Sequence, residues 1–244
     1  MVLLADPFYL FISNPGQPAR PQGEKQNGMT NQRIAKTEIL NKVYTADNHE
    51  ELMDAYQAWA SDYDSDLVDR FGYVAHIASA KTLDQALCCQ HDAVILDAGS
   101  GTGLVGKELA TLGYTTMDAL DYSRDMLDEA AAKGIYRSFF QADMTKPLPF
   151  ADNTYDAVVC TGTFTYGHVR GDAFAELIRV TRPGGTIVFT IREGAFEDYG
   201  YRAKMLELEV QGDWELLSFY DTPYQIEEEN TCKMCTYRVP GAAA

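Results

Sequence analysis

Residues 93–103 read AVILDAGSGTG, a short apolar run that ends in an acid, Asp97, and then in glycines at every second position, Gly99, Gly101 and Gly103. Glycines so spaced let the backbone turn sharply and come close to a ligand. A carboxylate at Asp97 can hold a ligand cation or accept from the turn's own amides. Asp121 follows at a distance that lets it accept hydrogen bonds from both hydroxyls of a ribose. Further on, the segment TFTYGHV carries His168, whose imidazole titrates near neutral pH and can act as a general base. Arg192 offers a cation for a substrate carboxylate, or a partner for Glu193. The turn by itself leaves two chemistries open, because GTGLVG at 101–106 also fits the GxGxxG pattern of dinucleotide binding, with Asp121 as its ribose acid.

These residues need elements to hold them. The run at 93–96 is too short for a helix and reads as an interior strand of a parallel sheet. A helix over 102–112 stops at Gly113, and a second strand over 115–121 carries Asp121 at its carboxyl end. Ser123 caps a helix that stops at Gly134, and YRSFFQAD forms a third strand ending in Asp143. YDAVVCTG is a fourth strand, AFAELIRVTRPGG a helix ended by Pro183, Gly184 and Gly185, and TIVFTIRE a fifth strand. A helix over 197–211 precedes two last strands, WELLSFYDTPY and TCKMCTYRV. Before the glycine turn, Asn48 and Glu51 resemble a capping pair, and Leu52, Tyr56, Trp59 and Tyr63 repeat at helical spacing. A further helix is expected over 67–87.

DAGSGTG resembles motif I of the class I S-adenosylmethionine (SAM) dependent methyltransferases: acid, any residue, then Gly-x-Gly-x-Gly. AYQAWASDYDSDL resembles the YxxWAxxYD segment that precedes that motif, and PLPFADNTYDAVV the approach to the fourth strand. The helix, PGG turn and strand that follow are similar to the family's post-motif signature. The resemblance covers roughly 44–239 and extends to the Williams-Beuren syndrome region methyltransferase-like group. It implies a Rossmann-like three-layer α/β sandwich, with a seven-stranded, mostly parallel sheet in the order 3-2-1-4-5-7-6 and strand 7 antiparallel.

The resemblance also implies SAM as cofactor, with a set of residues to hold it. Gly99, Ser100, Gly101, Thr102 and Gly103 pass under the methionine part while Asp97 meets its amino group. Asp121 and its neighbour Tyr122 take the ribose, Met126 lies near the adenine, and Asp143 bonds the adenine amine while the Met144 amide meets a ring nitrogen. Thr161 ends the fourth strand beside the ligand, and Tyr63 closes over the pocket, with Tyr56 and Trp59 as further lid aromatics. On the acceptor side His168, Tyr63 and Arg192 converge. The structural alternatives are an Asp143 that caps a turn, a Met126 that is core and a His168 that only shapes its loop. The reaction implied is methyl transfer to sulfur, nitrogen or oxygen of a small metabolite, a carboxylated one being favoured. No NPPY motif and no metal cluster of the catechol type is present. The alternatives are an NAD-dependent reductase and a SAM-binding regulatory protein without chemistry.

Composition bounds the partners. Lys+Arg 20 against Asp+Glu 36 gives a net charge of -16, which repels a polyanion, so nucleic acid is not the expected substrate. The sequence has no run of apolar residues long enough to span a membrane. Five cysteines suit a reducing compartment, and a cytoplasmic location is expected unless the N-terminal extension directs the chain to an organelle. CKMC at 232–235 is not read as a metal site, because residues i and i+3 of a strand face opposite sides, and the vicinal Cys88 and Cys89 are given no metal role either. No metal is expected. Residues 1–43, rich in proline, glycine and asparagine, read as a flexible extension of a domain over 44–240. The pattern sets no oligomeric state.

Overall fold

In the computed structural model the described residues are 38–45, 51, 55, 59, 63–166 and 169–241. Seven strands form one sheet: β1 (Ile95–Ala98), β2 (Met117–Asp121), β3 (Ser138–Gln141), β4 (Tyr155–Phe164), β5 (Thr181–Arg192), β6 (Glu215–Gln225) and β7 (Asn230–Arg238). Their order is β3-β2-β1-β4-β5-β7-β6, as the resemblance implies. β1 to β5 run parallel, and β7 pairs antiparallel with both β5 and β6. Side chains that alternate along the strands feed two cores on opposite faces. Leu96, Val158 and Phe189 pack with Trp214 on one face, while Ile95, Val159 and Val188 pack with Leu83 and Leu109 on the other. Cys232 and Cys235 follow the same rule and belong to separate clusters.

The described helices are α1 (Glu38–Tyr44), α2 (Tyr63–Ser65), which continues as a π-helical turn at Asp66–Arg70, α3 (Ala75–Ala86), α4 (Leu104–Thr111), α5 (Arg124–Ala132), α6 (Phe174–Val180), α7 (Ala195–Asp198) and α8 (Tyr201–Gln211). Each parallel crossover returns the chain to the amino end of the sheet, so the loops that follow β1, β2, β3 and β4 gather at the carboxyl edge. Open α/β sheets bind ligands at that edge.

Several boundaries differ from the sequence expectation, each for a local reason. The helix expected over 67–87 is broken at Gly72, where φ is +62° and an added Cβ would lie 3.1 Å from the Ile226 Cβ. Tyr73 then forms an isolated bridge with Gln225 before α3 begins. The helix before the PGG turn ends at Val180, and Thr181 already belongs to β5. Proline disfavours helical backbone at the preceding residue, Arg182. The glycines instead form an irregularity within β5, with Gly184 donating to the Val239 carbonyl at 2.8 Å and Val239 to that of Gly185 at 2.9 Å. Gly200, at φ +69°, splits the helix expected over 197–211 into α7 and α8. At the other end α1 begins inside the stretch read as an extension, and its Val43, 1% exposed, packs with Trp59, Leu67 and Phe71. Residues 1–37 of that stretch lie outside the described residues.

Candidate active site

The glycine turn leaves β1 and is tied to β2 by its backbone. The amides of Gly99 and Ser100 both donate to the Leu120 carbonyl, at 2.7 and 2.9 Å. Asp121 at the end of β2 completes the tie: its Oδ2 accepts from the Gly101 amide and its Oδ1 from the Ser123 amide, each at 2.8 Å. Burial raises the Asp121 carboxyl above the usual range, and the amides of Ser123 and Gly101 act against it. Gly99, Gly101 and Gly103 all have positive φ, but for different surroundings. An added Cβ would strike the Thr163 hydroxyl at Gly99 and the Tyr136 ring at Gly103, whereas at Gly101 it would meet nothing within 4 Å. The open space of this turn therefore lies over Gly101.

Asp97, on β1 before the turn, is 1% exposed. Its Oδ2 accepts from the Tyr136 hydroxyl at 2.5 Å, and its Oδ1 has no hydrogen-bond partner. Burial pushes the carboxyl up to about 7; the Tyr136 hydrogen bond lowers it, and the nearby Asp121 raises it further. Tyr136 is a residue the sequence reading missed. Its ring fills the space beside Gly103 and Gly106, and a Cβ at Gly106 would come within 2.2 Å of its hydroxyl. The missed signal was Gly106: the GxGxxG fit arises here from packing against a tyrosine, and no spacing rule connects that tyrosine to Asp97.

A second tie comes from the segment before the sheet. Asp64, next to Tyr63 on α2, accepts from the Thr102 hydroxyl and forms an ion pair with Lys133 at 2.8 Å. Lys133 also donates to the Thr102 carbonyl at 2.6 Å. Tyr63 thus stands beside the glycine turn, in edge contact with Trp59 at 4.7 Å. Trp59 itself is core, with its indole N–H donated to Asp66 at 2.9 Å, which differs from a lid role. Tyr56 lies outside the described residues.

The remaining described candidates follow along the strand ends. Tyr122 is exposed and Met126 buried on α5. Asp143 accepts from both the amide and the hydroxyl of Thr145, so it does cap the turn after β3, and the Met144 side chain joins the core. Thr161 lies on β4 two residues beyond Val159, the partner of Asp97, which sets it alongside Gly99. Its buried hydroxyl lacks a hydrogen-bond partner, as do those of Ser100 and Thr165. On the acceptor side Arg192 ends β5, 7% exposed, with its guanidinium 5.4 Å from the Tyr166 ring centre. Glu193 accepts from the Thr231 hydroxyl. Tyr166 donates to Asp198 at 2.9 Å and packs, like Tyr63, against the cluster around Trp59. His168 lies outside the described residues. Tyr73 and Tyr224, not anticipated, bring their hydroxyls to Gly162, where an added Cβ would lie 3.2 and 3.3 Å away. His76 stacks on Tyr73, and burial pushes its imidazole down to about 4, so it is neutral at pH 7.

Comparison with known proteins gives the family of the chain. Residues 96–189 match the family described as "Methyltransferase domain". The chain is 37% identical over 166 residues to human methyltransferase-like protein 27, covering 66% of each chain. It is 39% identical over 106 residues to the malonyl-[acyl-carrier protein] O-methyltransferase of Buchnera aphidicola, covering 43% of this chain and 42% of that one. The chain thus spans about two thirds of the first relative and less than half of the second. Among solved structures, an S-adenosylmethionine dependent methyltransferase from Mesorhizobium loti has a TM-score of 0.50 at 14% identity, covering 65% of this chain and 96% of that one. The [4+2]-cyclase SpnF has a TM-score of 0.54 at 17% identity, covering 68% and 81%. At such identities the structures speak for the fold alone, and the cyclase illustrates that a fold does not name a reaction.

Proposed function

We propose that this chain, a class I S-adenosylmethionine-dependent methyltransferase, transfers a methyl group to a small acceptor that carries a carboxylate. SAM supplies the methyl group already activated on a sulfonium. What remains for the protein is alignment, exclusion of water and, where the acceptor has a proton to lose, a base.

The observation that carries the cofactor reading is the pairing of open space over Gly101 with the unpartnered Asp97 Oδ1 and Ser100 hydroxyl on the same turn. Buried polar atoms are ordinarily satisfied, so orphans grouped around a cradle mark a ligand's polar end. Asp97 provides a carboxylate for an ammonium, Ser100 a hydroxyl, and the Gly101 backbone a surface without side chain. Asp121, held by two amides, keeps lone pairs for the ribose hydroxyls, with Tyr122 beside them, while Thr102 stays with the glycine turn under the methionine part. Met126, Asp143 and Met144 take the adenine end, and Thr161 and Gly103 bound the methionine end.

On the acceptor side, Arg192 is a buried cation at a strand end, the kind of group that recognises a carboxylate. The malonyl group named for the Buchnera relative carries one, which supports the choice of substrate class. Tyr63 closes the cavity from α2, and His168 provides the base for a nitrogen or oxygen acceptor.

Calorimetry tests the cofactor before any acceptor is known. Titration with SAM should give one-to-one binding that Asp97→Asn weakens, and NAD should give no heat. Binding of NAD in place of SAM would overturn the reading and restore the dinucleotide alternative. Turnover with labelled SAM and short dicarboxylic half-thioesters, lost when only uncharged analogues are offered, tests the acceptor class.

A further inference from the structure

The parallel strands have an amino edge as well, opposite the glycine turn, and a second group of chemical side chains gathers there. α3 ends at Ala86, and the chain then turns back over its own last turn, with the Cys88 amide donating to the Gln85 carbonyl and the Cys89 amide to that of Asp84, both at 3.1 Å. To do so both cysteines adopt the left-handed region, at φ 51° and 60°, which L residues other than asparagine and aspartate seldom occupy. The turn sets the Cys89 thiol 3.8 Å from Asp84 Oδ2. His91, two residues on, brings its Nε2 to 3.7 Å from Asp84 Oδ1.

We infer that Asp84, Cys89 and His91 form a binding site for a zinc-like divalent cation. Thiolate, imidazole and carboxylate are the ligand types zinc takes, and three protein ligands leave a fourth position for water. One donor atom from each residue lies within 4.8 Å of the others. A tetrahedral ion with zinc's bond lengths needs ligands separated by roughly 3.3 to 3.6 Å, so a set of single donor atoms that spans up to 4.8 Å must draw in by about 1 Å at its widest, a movement within reach of the exposed Cys89 and His91 side chains.

Outer contacts already orient two of the three ligands, as metal sites require. The buried Tyr114 donates its hydroxyl to Asp84 Oδ1 at 2.9 Å and stands edge-on to the His91 ring at 5.1 Å. Gly113, at φ +104°, lies beside the same imidazole, 3.4 Å from Nδ1 to where a Cβ would stand. His91 precedes β1 and Tyr114 precedes β2, so the site is separate from the glycine turn, and its role is to tie the end of α3 to the start of the sheet.

The test uses the full chain, reduced and freed of metal by chelation, with Zn2+ alone as the probe against a chromophoric competitor. The expected result is one tight equivalent that raises the melting temperature, weakened about 100-fold or more by Cys89→Ser or His91→Ala. Tyr114→Phe, which removes only the orienting hydroxyl, should weaken it by about 10-fold. Cobalt substitution should give a thiolate-to-metal absorption band that Cys88→Ser retains and Cys89→Ser loses. No stoichiometric zinc binding, or binding that survives both ligand substitutions, overturns the site. So does a band that depends on Cys88, and all of these readings are independent of SAM.

Discussion

The two halves of the candidate active site are built differently. The cofactor half draws its proposed contacts from 97–144, joined by Thr161 of β4, and most of them sit at strand ends where a glycine turn or a capped helix follows. Backbone amides fix it: Gly99 and Ser100 to Leu120, Gly101 and Ser123 to Asp121. The proposed acceptor half draws on Tyr63, Tyr166 and Arg192, which come from three segments: the two tyrosines pack against the cluster around Trp59, and Arg192 approaches the Tyr166 ring. A site made of backbone tolerates little change at its glycines, whereas a site made of side chains can be altered one group at a time. The cofactor half should therefore fail all at once and the acceptor half by degrees.

Gly101→Val tests the first half of that statement most severely. It should abolish SAM binding even at millimolar ligand, while the left-handed backbone costs about 1–2 kcal/mol of stability. Gly106→Ala should do the reverse, since its Cβ strikes Tyr136 and not the open space: a larger drop in melting temperature with partial SAM affinity retained. Equal loss of SAM binding in both variants would erase the distinction between a ligand-facing and a packing glycine.

Asp97 comes next. Asp97→Asn should weaken SAM by about 10- to 100-fold, the cost of a hydrogen bond to a charged group. Because burial pushes the carboxyl up to about 7, binding of an ammonium should tighten as pH rises through that value in the wild type and be flat in the variant. The sign for the free protein is opposite: a raised carboxyl favours the protonated native state, so this contribution to stability is full below about 4 and lost by about pH 7. Calorimetry and thermal melts across pH 5–9 check both signs.

Arg192→Met belongs to the other half. It should raise KM for a carboxylated acceptor by about 10-fold and leave the SAM dissociation constant unchanged, since it removes an interaction made in ground and transition states alike. A parallel loss of SAM affinity would mean that the two halves are not separable. Tyr136→Phe should have the smallest effect, about 1 kcal/mol in SAM affinity, because the ring that packs against Gly103 and Gly106 is kept. It should also move the pH midpoint of binding upward, as the hydrogen bond that lowers the Asp97 carboxyl is gone.

What the sequence determined by itself is what the backbone of a few consecutive residues dictates. Apolar runs of strand length, glycines where φ must be positive, and Ser123 at its cap were each readable within a window of one turn. With the resemblance, they carried the strand order as well. The helix breaks at Gly72 and Gly200 were harder, because a lone glycine breaks a helix only when the packing around it rewards the bend. The tertiary structure alone decided the side-chain ties: Tyr136 to Asp97, 39 residues apart, Asp64 to Thr102, 38 apart, and Tyr114 to Asp84, 30 apart. No local periodicity links such positions. Their meeting depends on how the crossover helices and strands pack, and so the acid at Asp97 could be found in the sequence while the hydroxyl that holds it could not.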